Sequence, residues 1–146
     1  MCLVNYKEIN MGERKKPIEC YKILENVNGQ LISPLYSDHK GGSLWAVGDV
    51  NKTKCAEPDI YYYVEWLECK VNSINGGGFH TCKTLKDART YLNNFSLKKE
   101  RKLVIAQCEI TLDTKFVYEG LAVWDSWDPG VPGYVSESLK IVKIIE

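Results

Sequence analysis

The sequence has no long apolar run, no excess of one charge and no closely spaced pair of cysteines. No stretch approaches the roughly 20 consecutive apolar residues of a membrane-spanning helix, and the first residues lack the apolar segment of a secretory signal. Nineteen basic and nineteen acidic side chains cancel, so no overall field draws the chain to nucleic acid or to an anionic membrane. We therefore expect a cytoplasmic protein with no membrane partner, and we do not expect it to bind nucleic acid.

The cysteines are spread widely and suit neither disulfides nor a metal site. None of the six belongs to a CxxC motif, and no histidine lies at zinc-ligand spacing from any of them. Cysteine inside an apolar run usually behaves as a small buried hydrophobe. We therefore expect free thiols and no metal site. The six are Cys2, Cys20, Cys55, Cys69, Cys82 and Cys108.

The length of the chain favours one domain. At 146 residues, with 45% apolar and 26% charged residues, it can bury a core without metal or disulfide support. Residues 1–17 contain a polar run, GERKK, followed by Pro17, and are predicted to be a flexible, loosely attached arm. The remaining residues, 18–146, are predicted to form a single α+β domain.

The clearest short-range signal is Asn28-Gly29, which lies between two apolar runs. An Asn-Gly pair in this setting favours a hairpin because both turn residues must adopt positive φ. Strands are predicted at about 19–26 and 30–36. The segment SLWAVGDV is predicted to be a short third strand that ends at Gly48.

Residues 58–71 leave two interpretations open. Their β-branched and aromatic content favours a strand, whereas Ile60, Val64 and Leu67 also fit a helical stripe that begins after Pro58. We favour the strand.

One amphipathic helix is predicted over residues 84–95. Thr84 can cap it, Asp87 follows three positions later, and Leu85, Ala88 and Leu92 recur on one face.

The rest of the chain reads mainly as strands. LVIAQCEI, residues 103–110, is a continuous apolar run typical of a strand buried on both faces, and KFVYEG and LKIVKII predict two more strands. The Pro-Gly pairs at 129–130 and 132–133 predict a long irregular loop over about 120–136. The predicted fold is therefore α+β: a compact, mainly antiparallel sheet with one clear helix.

A glycine-rich segment leads directly into the helix and is one candidate binding site. Backbone N–H groups at a helix start can hold an anion or a carboxylate, although neither glycine-rich phosphate motif is present. An ordinary connection followed by a helix cap is the alternative. The candidate residues are Gly77, Gly78, Phe79, His80 and Thr81.

The second candidate lies in the predicted loop with two tryptophans. Trp124 follows the apolar run Leu121–Val123 and is expected to anchor the loop in the core. Trp127 has polar neighbours and is expected to be part of a recognition surface, since tryptophan is enriched at binding hot spots. Asp128 and Tyr134 belong to the same candidate site.

The order of elements after residue 77 resembles the second half of the ADP-ribosyltransferase fold. The matching pieces are GFHTC, TLKDARTYLNNF, LVIAQCEI and a late glutamate, Glu137 in YVSES. The resemblance implies NAD as cofactor or substrate, with His80 or Thr81 near a nicotinamide pocket. It also implies that Glu137 stabilises an oxocarbenium-like transition state. The overall pattern is also similar to small bacterial and phage domains.

Two functions follow as expectations. The first is a binding module without a cofactor, which recognises a protein or a small ligand through the segments 74–83 and 120–136. It is favoured because catalytic groups do not assemble into a known motif such as GxSxG. The alternative is an ADP-ribosyltransferase-like enzyme acting on NAD, with Glu137 and His80 as catalytic residues.

Overall fold

The computed structural model describes residues 2–32, 45–52, 59–61, 71–75, 79–93, 102–123 and 130–145. Within these ranges the chain forms eleven strands, one α-helix and one short 3-10 helix. The strands are β1 (Cys2–Glu8), β2 (Ile18–Val27), β3 (Gln30–Ile32), β4 (Val50–Lys52), β5 (Asp59–Tyr61), β6 (Val71–Asn75), β7 (Phe79–Cys82), β8 (Leu103–Ile110), β9 (Val117–Val123), β10 (Val131–Ser136) and β11 (Ser138–Ile144). The helix α1 spans Leu85–Asn93, and the 3-10 helix spans Met11–Glu13.

All eleven strands belong to one antiparallel sheet. Its order is β4-β11-β8-β2-β7-β10-β9-β1-β6-β5, and β3 pairs with β2 beside this path. Together with α1, this sheet confirms the predicted α+β fold.

The sheet curves strongly. Asn75 at the end of β6 and Phe79 at the start of β7 are four residues apart, so their Cα atoms are at most about 15 Å apart. Three strands lie between β6 and β7 in the sheet. In a flat sheet β6 and β7 would therefore be about 19 Å apart. The two strands therefore approach each other by curvature of the sheet.

Local signals place the first hairpin and the helix. Asn28 and Gly29 have φ of 52° and 84°, and Val27 pairs with Gln30 across the turn, so the predicted hairpin is confirmed. At the helix start, the Asp87 N–H donates to Thr84 Oγ1 and the Thr84 N–H donates to Asp87 Oδ2. These two bonds form the capping box expected for this pair.

The two sides of the sheet carry separate parts of the core. One side, the helix face, packs Ile23, Ile105 and Ala122 under Ala88 and Tyr91 of α1. We call the other side the lysine face, because it carries Lys22. Its core cluster contains Cys20, Leu24, Trp45, Phe79, Ala106, Cys108, Ile110, Val117, Tyr134, Leu139 and Ile141, among others. β8 contributes buried residues to both faces, as predicted.

The prediction of a loosely attached arm is wrong over residues 2–8. These residues form β1, which is hydrogen-bonded between β9 and β6, and Leu3 is fully buried. Met11, which follows, is also buried. Main-chain pairing to two neighbours decides this outcome, because it requires no particular side chain.

The predicted irregular loop over 120–136 is also wrong at both ends. β9 continues to Val123, and residues 131–136 form the internal strand β10 between β9 and β7. The Pro132 carbonyl oxygen accepts a hydrogen bond from the Lys83 N–H, just beyond the end of β7. The missing N–H of the proline therefore falls outside the β7–β10 pairing, and for this reason proline is tolerated at position 132.

The structure shifts one further predicted strand and describes only part of another. The expected strand over SLWAVGDV is wrong between Trp45 and Gly48, where the chain makes a single bridge to Leu31 and then a turn with Gly48 at φ 92°. The strand forms afterwards, at Val50–Lys52. Of the ambiguous segment 58–71, Asp59–Tyr61 and Val71 are strand, and residues 62–70 lie outside the described ranges.

The sheet requires glycine at position 133. A Cβ there would lie 2.4 Å from the Thr81 carbonyl oxygen and 3.0 Å from Ala122 Cβ. We expect Gly133→Ala to lower the free energy of unfolding by roughly 3 kcal/mol, at the upper end of overpacking effects. Gly29→Ala is the matched control, since it has φ of 84° but nothing within 4 Å of its Cβ. It should cost about 1 kcal/mol. Chemical denaturation measures both, and an equal or smaller loss at Gly133 would contradict the close approach of β7 and β10.

Candidate functional site

The most unusual residue of the described chain is Lys22, in the middle of β2. It is only 7% exposed, whereas lysine is almost never buried without a charged partner. Its Nζ donates one hydrogen bond, to the His80 carbonyl oxygen at 3.1 Å. No carboxylate in the part of the chain that the structure describes forms an ion pair with it. A buried ammonium group without an anion is a candidate functional group.

Strand alternation explains why Lys22 points inward. Ile18, Cys20 and Leu24 occupy the same face of β2 and are buried in the larger core cluster, and side chains two residues apart on a strand share a face. On the neighbouring strand, Ala106 stands opposite Lys22, and its small side chain leaves room for the longer one.

Thiols surround the lysine. Cys20 and Cys108 face each other across β2 and β8, and Cys82 lies on the adjoining β7; all three are buried and free. Burial raises the pKa of Cys20 well above its usual value, and the other two thiols add to the rise. Burial likewise raises the pKa of Cys82 and of Cys108 to about 12, and in each case Lys22 offsets part of the rise. The thiols are therefore neutral at ordinary pH and supply no counter-charge to Lys22.

Burial also lowers the pKa of Lys22 from its usual value, and the three cysteines only partly oppose this shift. The lowered pKa means that the surroundings stabilise the ammonium ion less well than water does.

Aromatic rings form the wall beside the lysine. Lys22 Nζ lies 5.6 Å from the centre of the Trp45 ring, and Trp45 packs edge-to-face on Phe79 with ring centres 4.8 Å apart. Trp45 is 4% exposed, and its Nε1–H has no hydrogen-bond acceptor. We call Lys22, Cys20, Cys108, Trp45 and Phe79 the Lys22 cluster.

The structure brings together four of the residues that the sequence singled out. β7 and β10 are neighbours, so that Thr81 stands opposite Tyr134 and Phe79 opposite Ser136. Phe79, His80, Thr81 and Tyr134 are all buried, and Thr81 lies beside the Cys20 sulfur, where its hydroxyl lowers the thiol pKa. These residues adjoin the Lys22 cluster instead of forming an exposed surface.

The other predicted site residues are placed differently or lie outside the described ranges. Gly77, Gly78, Trp127 and Asp128 belong to the undescribed segments, as does Trp124. Glu137 follows β10, and its carboxylate accepts a hydrogen bond from the Lys115 N–H at 2.7 Å. This bond ties Glu137 to the residues that lead into β9.

A charged group borders Tyr134 at the solvent side of the lysine face. Lys83 Nζ lies 2.7 Å and Lys7 Nζ 3.7 Å from the Glu119 carboxylate, and Glu119 stands opposite Tyr134. The hydrogen bond from Lys83 lowers the pKa of Glu119, and burial raises the pKa of Tyr134. This pairing balances the charge of Glu119 against Lys83 and Lys7, so the carboxylate does not serve as a counter-ion for Lys22.

A separate cleft of about 560 Å³ lies at one end of the sheet, between residues 8–12 and 112–115. Its size falls within the range of small-molecule sites. Its charged lining residues, among them Glu8, Asp113 and Lys115, are exposed to solvent, where water stabilises their charges without a ligand. We therefore place the candidate site at the Lys22 cluster.

Sequence reasoning missed Lys22 and Trp45. The signal for Lys22 was present in IECYKIL, because the lysine occupies the same alternating positions as Ile18, Cys20 and Leu24. Trp45 carries no such signal, since it reaches the sheet through a single bridge to Leu31.

The remaining tests of chemistry and relationship gave no further assignment. Among the described residues, no group of three histidine, cysteine or acidic side chains could hold a metal ion. In the same ranges, no helix is both long and apolar enough to cross a membrane. Comparisons with protein families, with curated proteins and with solved structures found no match to this chain.

The cost of burying Lys22 gives a prediction for Lys22→Met, which keeps the length and removes the charge. The effective penalty for a buried ion is several kcal/mol, more than the roughly 1–3 kcal/mol for leaving the His80 carbonyl unpaired. We therefore expect the variant to be at least as stable as the wild type at neutral pH, by chemical denaturation.

The difference in stability between Lys22→Met and the wild type should depend on pH. The pKa of Lys22 is lowered in the folded state from its ordinary value of 10.5. Between the folded pKa and 10.5 the unfolded chain therefore binds more protons than the folded chain, so the contribution of Lys22 to the free energy of unfolding rises with pH in that range. The advantage of Lys22→Met over the wild type should therefore shrink as pH rises toward 10.5. The folded thiols stay protonated over this pH range in both proteins, because their pKa values are already raised and loss of the Lys22 charge would raise them further. A variant whose advantage does not change with pH would show that Lys22 keeps an ordinary pKa in the folded state.

Proposed function

We propose that the chain is a binding module that takes a small ligand on the lysine face, at the Lys22 cluster. The observation that carries this proposal is the buried Lys22 ammonium, which has one hydrogen bond and no described counter-ion. A ligand that supplies acceptors to Lys22 would offset the part of the burial cost that the His80 carbonyl and the cation–π contact with Trp45 leave uncompensated.

The burial of the neighbouring residues favours a small ligand over a macromolecule. Phe79 and Tyr134 are each 7% exposed, and Thr81 is fully buried. A folded partner protein contacts exposed side chains, so it could not reach these residues as they stand. Small-ligand sites, by contrast, combine apolar walls with a few polar groups, as Trp45, Phe79 and Lys22 do.

The residues of the cluster have distinct roles in this proposal. Lys22 supplies charge and hydrogen-bond donors, Trp45 and Phe79 supply apolar contact, and the thiols of Cys20 and Cys108 line the base as neutral groups. The proposal includes no catalytic step. NAD is still a useful test ligand, because the sequence resembles ADP-ribosyltransferases.

The proposal predicts retention of a small molecule that depends on Lys22. The pure protein would be incubated with small-molecule extracts of cells, washed and examined by native mass spectrometry. We expect a mass increment on the wild type and on Lys86→Met, a matched change at an exposed lysine of α1, and none on Lys22→Met.

Two outcomes would count against the proposal. A ligand that all three proteins retain equally would place the site elsewhere, and the absence of any increment would argue against a small-ligand module. In a parallel incubation with NAD, release of nicotinamide that disappears in Glu137→Gln would favour the enzyme instead.

A further inference from the structure

The Lys22 cluster has more hydrogen-bond donors than acceptors. The Lys22 ammonium has three N–H groups, and one donates to the His80 carbonyl oxygen. The Trp45 Nε1–H has no acceptor. Both groups belong to buried side chains on the same face of the sheet, with Nζ 5.6 Å from the centre of the indole ring.

The unused donors and one positive charge, which only a carbonyl oxygen and the face of the Trp45 ring stabilise, define the ligand group that would complement them. The ligand group must be an acceptor without hydrogens of its own, and it should carry a single negative charge. An ionised carboxylate meets both conditions, since its two oxygens only accept hydrogen bonds. Because the two oxygens each accept at about 2.8 Å, one carboxylate can contact both donors.

The surroundings argue against a phosphate group. At neutral pH a phosphate monoester carries about −1.5 to −2 charges and three strong acceptor oxygens, more than one lysine and one indole can satisfy. The walls are aromatic and the nearby thiols are neutral, so the remainder of the ligand should be apolar.

Resting on the proposed function, we infer that the Lys22 cluster binds a small monocarboxylate with an apolar body, whose oxygens accept hydrogen bonds from Lys22 Nζ and Trp45 Nε1. The direction of the lysine pKa agrees with this geometry. Burial lowers the pKa of Lys22, and a bound carboxylate would raise it by stabilising the ammonium ion.

The test compares acids with alcohols of the same apolar body. Isothermal titration calorimetry would measure hexanoate against hexan-1-ol and phenylacetate against 2-phenylethanol. We expect each acid to bind the wild type at least tenfold more tightly than its alcohol. Lys22→Met should abolish this preference, and Lys86→Met should retain it.

A second variant keeps the test valid if Lys22→Met does not fold. Trp45→Phe retains an aromatic ring but removes the Nε1–H, so it should weaken acid binding severalfold and leave alcohol binding unchanged. In the wild type, the Trp45 indole N–H resonance should shift on addition of acid and not of alcohol.

The pH dependence gives an independent readout. The titratable groups on the same face as Lys22 are the thiols of Cys20 and Cys108 and the Tyr134 hydroxyl, and Cys82 lies on the helix face of β7. All four have raised pKa values. Acid binding should therefore weaken as pH rises through the lowered lysine pKa toward 10.5, because the ammonium loses its proton. Alcohol binding should not change.

The failures of the two proposals are distinguishable. Equal affinity for acids and alcohols, tighter binding of phenyl phosphate, or an aldehyde trapped on Lys22 by borohydride would each overturn the carboxylate and leave a small-ligand site at Lys22. A preference for acids that survives in Lys22→Met would overturn the assignment to this cluster. Absence of binding by every probe, together with no retained molecule in native mass spectrometry, would overturn both proposals.

Discussion

The structure depends on the pairing of β2 with β8. Eight consecutive residue pairs join the two strands, from Ile18 opposite Ile110 to Glu25 opposite Leu103, and no other pair of strands in the described ranges has so long an unbroken register. Because alternate residues face opposite sides, this one ladder supplies both faces with core residues: Ile23 and Ile105 under the helix, and Cys20 and Cys108 on the lysine face. A shift of one residue would exchange the two sets and place Lys22 under the helix.

The same ladder explains how a lysine is held in the core. β2 leaves β7 after a single residue pair, Tyr21 with Cys82, so the next carbonyl on that side, His80, has no strand partner in β2. Lys22 Nζ takes that place at 3.1 Å. A hydrogen bond to a charged group contributes about 1.5–3 kcal/mol, whereas burying the ion costs several. The hydrogen bond and the cation–π contact with Trp45 therefore offset the burial of Lys22 only in part. Under the proposed function, a bound ligand would supply the remaining stabilisation.

Sequence predicted the elements whose causes are local. The Asn28-Gly29 turn and the helix cap at Thr84 each follow from a few neighbouring residues, and the apolar run of β8 shows directly that both of its faces are buried. β1 and β10 were missed because their causes lie far along the chain. β10 is a strand although it contains Pro132 and Gly133, since β9 and β7 pair with it on both sides, and propensity yields to such pairing.

The proposed site could be predicted only in part, for the same reason. Glycine and tryptophan pointed to two connections, whereas Lys22 lies in the middle of β2, where only the alternation of buried residues marks it. Phe79, where the glycine segment ends, stands opposite Ser136 at one end of β10, and Val131, which follows the tryptophan segment, stands opposite Ala122 at the other. A strand of six residues separates these two ends by about 17 Å. The other ends of the two segments are closer, because Asn75 and Val123 both stand opposite Cys2 of β1, two strand spacings or about 10 Å apart. Four of the five residues of the Lys22 cluster lie on β2, β7 and β8, where neighbouring strands fix each backbone position, and Trp45 is held by a single bridge to Leu31. Residues held on such elements keep a ligand geometry more accurately than residues on loops, and this rigidity is what a site built from only two donors requires.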